Sequence, residues 1–135
     1  SLEIFREAYG VSDIRIISSL HNLGGLLSAQ GRYEEAEALY RARSPIEHAD
    51  GLDCPVIFFQ GLDDKVVPPN QAEAMVAVLK DKDIPVAYVP FTGEGHGFRQ
   101  SANIKRALEA ELYFYGRVFG FDPADDIDPV EIANL

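Results

Sequence analysis

The sequence predicts an α/β protein in which a helical hairpin precedes a βαβα unit with parallel strands. Three observations support this prediction. Residues 16–42 have the apolar spacing of helices, interrupted once at Gln30–Gly31. Two short apolar runs, residues 55–60 and 85–91, are rich in strand-forming residues, and a segment with helical spacing follows each of them. The order strand, helix, strand, helix is typical of a parallel sheet.

The composition indicates a packed globular protein. The chain has 135 residues, of which 47% are apolar and 25% charged, so one domain of ordinary size can form. Its formal net charge of −10 repels phosphate backbones, so we expect no nucleic-acid partner. No apolar run approaches the ~20 residues that span a bilayer, so we expect no membrane partner and a cytoplasmic location.

The first third of the chain predicts two helices that pack through small residues. We expect one stripe of four residues on the first helix to face four on the second. These are Leu20, Leu23, Gly24 and Leu27, and then Tyr33, Ala36, Leu39 and Tyr40. The spacing over residues 17–42 resembles one tetratricopeptide repeat, in which Tyr33 would wedge into the turn. Because such repeats need about three copies to bury a continuous core, we expect no peptide-binding groove.

Three segments follow from these patterns. The hairpin takes residues 1–43, because Ser44–Pro45 ends its second helix. The α/β unit takes residues 44–120. Residues 121–135 hold five carboxylates and no Lys or Arg, so we expect a solvated acidic tail.

The helices of the α/β unit have candidate caps. Asn70 is a candidate N-cap for the helix between the two strands, and Pro69 precedes it. Ser101 or Asn103 could cap the last helix. Apolar residues recur along that helix at Ile104, Leu108, Leu112, Tyr115 and Phe119.

Acidic and histidine side chains follow the two predicted strands. Asp63 and Asp64 come just after the first strand, and His96 follows the second, with a glycine on each side. Because the carboxyl ends of parallel strands meet at one edge of the sheet, ligands and catalytic groups collect there. His21 and His48 have no such context, and we expect no role for them.

Several motifs occur together in an order similar to that of the prolyl oligopeptidase family of serine peptidases. They are Arg43-Ser44-Pro45, Cys54-Pro55, Gln60-Gly61, Asp64, Pro68 and Glu94-Gly95-His96-Gly97-Phe98. The resemblance runs from about Tyr40 to the C-terminus. It implies part of an α/β-hydrolase fold, with Asp64 as triad acid, Asp63 as its solvated neighbour and His96 as base. It also implies a peptide substrate, acyl transfer to a serine, and no metal or organic cofactor.

The nucleophile of that family is missing from the sequence. A nucleophile elbow requires Gly-x-Ser-x-Gly between a strand and a helix, and no such pentapeptide occurs in the 135 residues. Ser12 comes closest, but Ile14 stands where the second glycine is needed. We therefore expect a peptidase fragment that carries the acid and the histidine and is inactive alone.

A second interpretation is a small protein-interaction module without catalysis, built from the helical hairpin on the α/β scaffold. A two-stranded sheet would expose strand edges. The apolar run from Val56 to Phe59 could then pair with a second copy of the chain, which predicts a homodimer.

Overall fold

A computed structural model describes residues 14–42 and 44–135, and these belong to two compact units, divided along the chain between Asp50 and Gly51. None of the helices in these two stretches is both long enough and apolar enough to span a membrane. The elements of the first unit are α1 (Ile14–Ala29), α2 (Tyr33–Arg41) and a 3-10 helix (Pro45–Gly51) that reaches the boundary. Those of the second are β1 (Val56–Gly61), α3 (Pro69–Asp81), β2 (Val86–Phe91), α4 (Ser101–Phe119) and β3 (Ile132–Ala133).

The predicted helical hairpin forms in the first unit. Leu27 and Ala36 are buried, and Gly24 faces the Tyr40 ring so closely that a Cβ would lie 2.9 Å from Tyr40 Cζ. A larger residue at this position would force the Tyr40 ring to move. Tyr33 does not wedge into the turn, because it is 69% exposed at the start of α2. Ser12, Arg43 and the Leu20 side chain lie outside the described part of the chain.

The boundary between the units falls later than the predicted division after residue 43. The segment that follows α2 is a 3-10 helix, and a contact of 2.9 Å between His48 Nε2 and the Ala42 carbonyl oxygen ties it back to the hairpin. His48 thus has a local structural partner, which its sequence context did not reveal.

The second unit is built on the parallel pair of strands that the sequence predicts. β1 and β2 pair from Val56 opposite Val86 to Gly61 opposite Phe91. Alternate side chains serve opposite faces of the sheet. One face packs on α3, and its core consists of Val76, Leu79, Ile84 and Val86. The other packs on α4, around Ala87, Ala110, Phe114 and Val130. Helices on both faces explain why the strands are continuous apolar runs.

Neither helix of this unit begins with the predicted cap. α3 begins at Pro69, with Pro68 at the N-cap, so Asn70 lies inside the first turn. Proline suits this first position, because the first N–H of a helix has no partner within the helix. α4 begins at Ser101 after Gln100, and no N-cap side chain bonds to its backbone. A carboxylate from outside the helix binds the backbone of the two residues before it, as described below.

The buried face of α4 differs from the apolar stripe in the sequence. Ala110, Phe114 and Gly116 are the buried residues of this helix. The five residues at regular spacing, Ile104, Leu108, Leu112, Tyr115 and Phe119, are all more than 40% exposed. Apolar spacing indicates a helix correctly, but it does not say which of two apolar faces meets the sheet.

Residues 121–135 are not a solvated tail, because the end of the chain docks on the second unit. β3 pairs antiparallel with β2, and Val130 is buried on the sheet. Arg106 donates to the carbonyl oxygens of Asp128 and Pro129 at 2.8 and 2.9 Å. The Asn134 side-chain amide donates to the Lys80 carbonyl at 3.1 Å. The sheet therefore has three strands in the order β1-β2-β3, and β3 covers part of the β2 edge.

The two faces of α4 provide a matched pair of substitutions. Phe114 is 3% exposed and Phe119 is 73% exposed, on the same helix. We expect Phe114→Ala to lower the free energy of unfolding by about 3–5 kcal/mol, because it leaves a cavity in the core. Phe119→Ala should cost less than about 1 kcal/mol. Urea unfolding followed by circular dichroism measures both, and similar losses would mean that the buried face is assigned incorrectly.

Candidate active site

Asp64 lies in a tight loop after β1 that holds its carboxylate in place. The Asp64 backbone N–H donates to the Gly61 carbonyl at 3.2 Å and turns the chain. Asp64 Oδ1 accepts the backbone N–H groups of Val66 and Val67 at 2.8 and 2.9 Å. An aspartate that bonds the backbone two and three residues on is a common way to stabilise such a turn. One carboxylate oxygen is thus used by the loop, and the other is available.

The last polar residue of β1 closes the same loop from the sheet side. Gln60 is buried, and its side-chain amide donates to the carbonyl oxygens of Gly61 at 2.8 Å and Val67 at 3.2 Å. The Val67 carbonyl therefore accepts a hydrogen bond from Gln60, and the Val67 N–H donates one to Asp64. Gln60 belongs to one of the motifs found in the sequence, but no role was predicted for it. The signal in the sequence was a glutamine at the end of an apolar run, because a polar group that is buried there needs hydrogen-bond partners.

His96 lies in the loop after β2, and a buried glutamate lies two residues before it. Glu94 is 2% exposed, and its Oε2 accepts the Arg99 N–H at 2.8 Å. Its Oε1 accepts the Gln100 N–H and the Asn103 side-chain amide, both at 2.9 Å. This carboxylate binds the backbone just before α4, where the helix dipole favours negative charge. At the far end of the loop Phe98 packs on Phe91, with ring centroids 4.7 Å apart.

Backbone bonds hold the acid loop and the histidine loop together. The Leu62 N–H donates to the Phe91 carbonyl at 3.0 Å, and the Asp63 N–H donates to the Glu94 carbonyl at 2.9 Å. Gly61 permits this approach, because a Cβ there would lie 2.4 Å from the Gly95 carbonyl oxygen. Any side chain at residue 61 would push the loops apart.

Asp64 and His96, which the sequence placed in separate loops, come within hydrogen-bonding distance. Asp64 Oδ2 lies 3.0 Å from His96 Nδ1. The Asp64 side chain is 7% exposed, whereas that of His96 is 58% exposed. Asp63, the neighbouring acid, is exposed. The structure therefore distinguishes the two aspartates, and Asp64 is the one that faces the imidazole.

The electrostatics of the pair determine which ring nitrogen carries the proton. Burial by itself would raise the pKa of Asp64, but bonds from the Val67 N–H, His96 and the Val66 N–H favour the charged form. Together they lower the pKa of Asp64 below its ordinary value of 3.8. A charged carboxylate only accepts hydrogen bonds, so His96 Nδ1 must donate. The lone pair of Nε2 can then accept a proton from another group.

A surface depression of ≈ 390 Å³ lies beside the pair. It is lined by Phe59, Gln60, Gly61, Asp64, Val67, Gly95, His96, Gly97 and Phe98. None of these is a serine, threonine or cysteine, and Ser12 is not among the described residues. In residues 14–42 and 44–135, no group of three or more His, Cys, Asp or Glu side chains could hold a metal ion.

The two buried carboxylates predict how stability changes in acid. Bonds from Asn103, Arg99 and Gln100 outweigh burial and lower the pKa of Glu94 below its ordinary value of 4.5. The pKa of Asp64 is likewise lowered below its ordinary value of 3.8. Each group therefore adds stability that is complete above its unfolded-state pKa and is lost as pH falls through the lower folded-state pKa. We expect the free energy of unfolding to fall below about pH 4.5, with Glu94→Gln giving a shallower decline.

Urea unfolding curves between about pH 3 and 7 measure this slope. Asp63→Asn removes an exposed carboxylate next to the site and should follow the wild-type slope. Parallel curves for wild type and Glu94→Gln would contradict the prediction.

Comparison with known proteins identifies the family of the chain. A model of the prolyl oligopeptidase family matches residues 7–122. Dipeptidyl aminopeptidase BIII of Pseudoxanthomonas mexicana is 40% identical over 63 residues, which are 47% of this chain and 9% of that protein. Dipeptidyl peptidase family member 6 of Caenorhabditis elegans is 37% identical over 70 residues, which are 52% of this chain and 10% of that protein.

A solved structure extends the comparison to the fold. The structure of a Mycobacterium tuberculosis puromycin-hydrolyzing peptidase matches with 48% identity and a TM-score of 0.65, over 72% of this chain and 15% of that one. The chain thus spans a small part of each relative, and the fold is that of α/β hydrolases. The family match also includes the helical hairpin, so it begins well before the motifs noted in the sequence. The chain belongs to the prolyl oligopeptidase family.

Proposed function

We propose that this chain is the acid and histidine part of a serine peptidase centre, with Asp64 and His96 in those roles. The bond of 3.0 Å between Asp64 Oδ2 and His96 Nδ1 is the observation that carries the proposal. The parent activity is hydrolysis of peptides, and the 135 residues alone are inactive because they contain no nucleophile elbow. A serine from outside these residues completes the centre.

The proposed reaction follows the triad template. His96 Nε2 takes the proton of the serine hydroxyl while the serine oxygen bonds to the peptide carbonyl carbon. Asp64 keeps the ring in the Nδ1–H tautomer and stabilises the imidazolium that forms. The imidazolium then gives its proton to the leaving amine, and the C–N bond breaks to leave an acyl-serine. Water, deprotonated by the same histidine, hydrolyses that ester and regenerates the hydroxyl.

The surroundings of His96 suit a serine that arrives from another part of a protein. Glycines on both sides leave the imidazole uncovered, and its side chain is 58% exposed. The depression beside it lies at the carboxyl end of β1, where a parallel α/β sheet collects catalytic groups. Relatives named for dipeptidyl peptidase and puromycin-hydrolyzing activity support amide bonds of short peptides as the substrate class.

The matched pair of aspartates tests these roles. In a chimera, residues 51–135 of this chain replace the equivalent segment of the puromycin-hydrolyzing peptidase, which supplies the serine. We expect the chimera to hydrolyse aminoacyl-nitroanilides, and Asp64→Asn to lower kcat/KM by about 10⁴-fold. An asparagine amide would donate to Nδ1 and place the ring proton on Nε2, where it blocks proton transfer. Asp63→Asn should change kcat/KM by less than about tenfold.

Two controls complete this experiment. The 135-residue chain, shown to be folded by circular dichroism, should give neither turnover nor labelling by a fluorophosphonate probe. Labelling that His96→Ala abolishes would show that a serine within the chain is activated and would contradict the proposal. A folded chimera without turnover, or equal losses in the two aspartate variants, would contradict the roles assigned to Asp64 and His96.

The alternative is an interaction module, in which the tetratricopeptide-like hairpin or the sheet edge binds another protein. One observation favours a partner at the sheet. β1 is the end strand of the order β1-β2-β3, so its outer edge carries no strand among the described residues. Ile57 and Phe59 alternate with residues that bond β2, so their N–H groups point to that edge. A second copy of the chain could pair there.

We expect this pairing to give a dimer mass in light scattering at high micromolar concentration. Open strand edges pair because each new backbone bond satisfies a donor and an acceptor. A monomer mass over the whole concentration range would exclude the homodimer. The outer edge of β1 would then be expected to pair with other parts of a larger protein.

A further inference from the structure

Glu94 closes the loop that carries His96 into a ring. The backbone of Glu94 lies near the start of the loop, three residues after β2 ends. Its carboxylate accepts the N–H groups of Arg99 and Gln100, where the loop ends. Asn103 supplies a third donor from the first turn of α4. A carboxylate that is 2% exposed is costly to bury without such partners, so its position is narrowly defined. Both ends of the loop are therefore held by one residue.

The same residue also holds the loop against the acid. The Glu94 carbonyl accepts the N–H of Asp63, which directly precedes Asp64. Gly61 packs against the same carbonyl, since a Cβ there would lie 2.5 Å from its oxygen. Glu94 thus contacts the acid loop with its backbone and the start of α4 with its side chain. A shift of Glu94 would change the distance between the two loops that carry Asp64 and His96.

His96 depends on this support because its immediate neighbours provide little. Gly95 and Gly97 have no side chains to pack, and the imidazole is 58% exposed. Glycines have wide backbone freedom, so the loop between them has no conformation of its own. Phe98, two residues after His96, packs on Phe91, and the Gln100 side-chain amide donates to the Gly93 carbonyl at 3.1 Å. The orientation of the imidazole toward Asp64 therefore depends on how the residues before and after His96 are held, and Glu94 bonds both sides of this stretch.

We propose that Glu94 is a positioning residue. By bonding both ends of the loop that carries His96, it orients the imidazole toward Asp64. The proposal rests on the proposed function for its relevance to catalysis, but its geometry stands without it. A carboxylate fits this task because it accepts three donors at once. A glutamine would place its NH₂ group against one of the N–H donors and lose part of the ring closure.

The test reads the imidazole directly, by ¹H–¹⁵N NMR of the histidine side chains in the 135-residue chain at about pH 8, where an ordinary histidine is neutral. The spectrum shows which ring nitrogen carries the proton. In the wild-type chain we expect His96 in the Nδ1–H tautomer. In Glu94→Gln we expect a mixture of tautomers, and amide exchange at Arg99 and Gln100 at least about tenfold faster. Glu131→Gln, at an exposed glutamate in the same unit, should match the wild type in both measurements.

Two results would overturn the proposal. If Glu94→Gln speeds exchange at Arg99 and Gln100 but His96 keeps its Nδ1–H tautomer, Glu94 is only a helix cap. Should Glu94→Gln fail to fold, Asn103→Ala removes one donor and leaves the carboxylate intact. We expect that variant to shift the tautomer in the same direction by a smaller amount, and an unchanged imidazole there would equally overturn the proposal. Because no activity is measured, these outcomes are separate from a failure of the proposed catalysis.

Discussion

The site depends on the parallel pairing of β1 with β2. Gly61 and Phe91 end the two strands opposite each other, so the loops that follow begin side by side. The backbone bond from Asp63 to Glu94 then continues the pairing beyond the sheet. Backbone bonds do not depend on side-chain identity, but they require close approach, and Gly61 permits it. Strand register therefore sets the distance at which Asp64 meets His96.

Buried polar side chains convert this backbone frame into a defined geometry. Gln60 closes the acid loop and Glu94 closes the histidine loop, each through bonds to backbone groups. Both are buried, and a buried polar group that loses its partners costs about 1–3 kcal/mol. That penalty opposes movement of either loop. The exposed imidazole between them can then be reached by a substrate and a nucleophile, while its supports are protected from water.

The main elements were predictable, because their signals are local. Apolar runs that contain Phe58 and Tyr88 gave the two strands, and the break at Gln30–Gly31 gave the hairpin. The ends of the helices were less predictable. Asn70, Ser101 and Asn103 are all good capping residues, yet Pro68 and Gln100 occupy the caps. Asn103 instead donates to Glu94, a partner nine residues away that no capping pattern in the sequence identifies.

The docked end of the chain shows a similar limit. Residues 121–135 are acidic, which favours solvent, but Arg106 and Asn134 bind backbone carbonyls that are distant in sequence. Such bonds form only where the fold brings the two groups together at the edge of the sheet, and amino-acid composition does not predict that position. The apolar stripe of α4 was misleading for a related reason. Phe114 reaches the sheet because of the way the helix crosses it, not because of its spacing in the sequence.

The sequence alone was enough to predict the β1-α3-β2-α4 order, the family motifs, and an acid and a histidine after neighbouring strands. These depend on local propensity and on spacing along the chain. The three-dimensional fold was needed to show that Asp64 rather than Asp63 faces the imidazole, and that Glu94 bonds both ends of the loop that carries His96. Those facts depend on register and on packing between segments about 30 residues apart, where small displacements make or break a hydrogen bond.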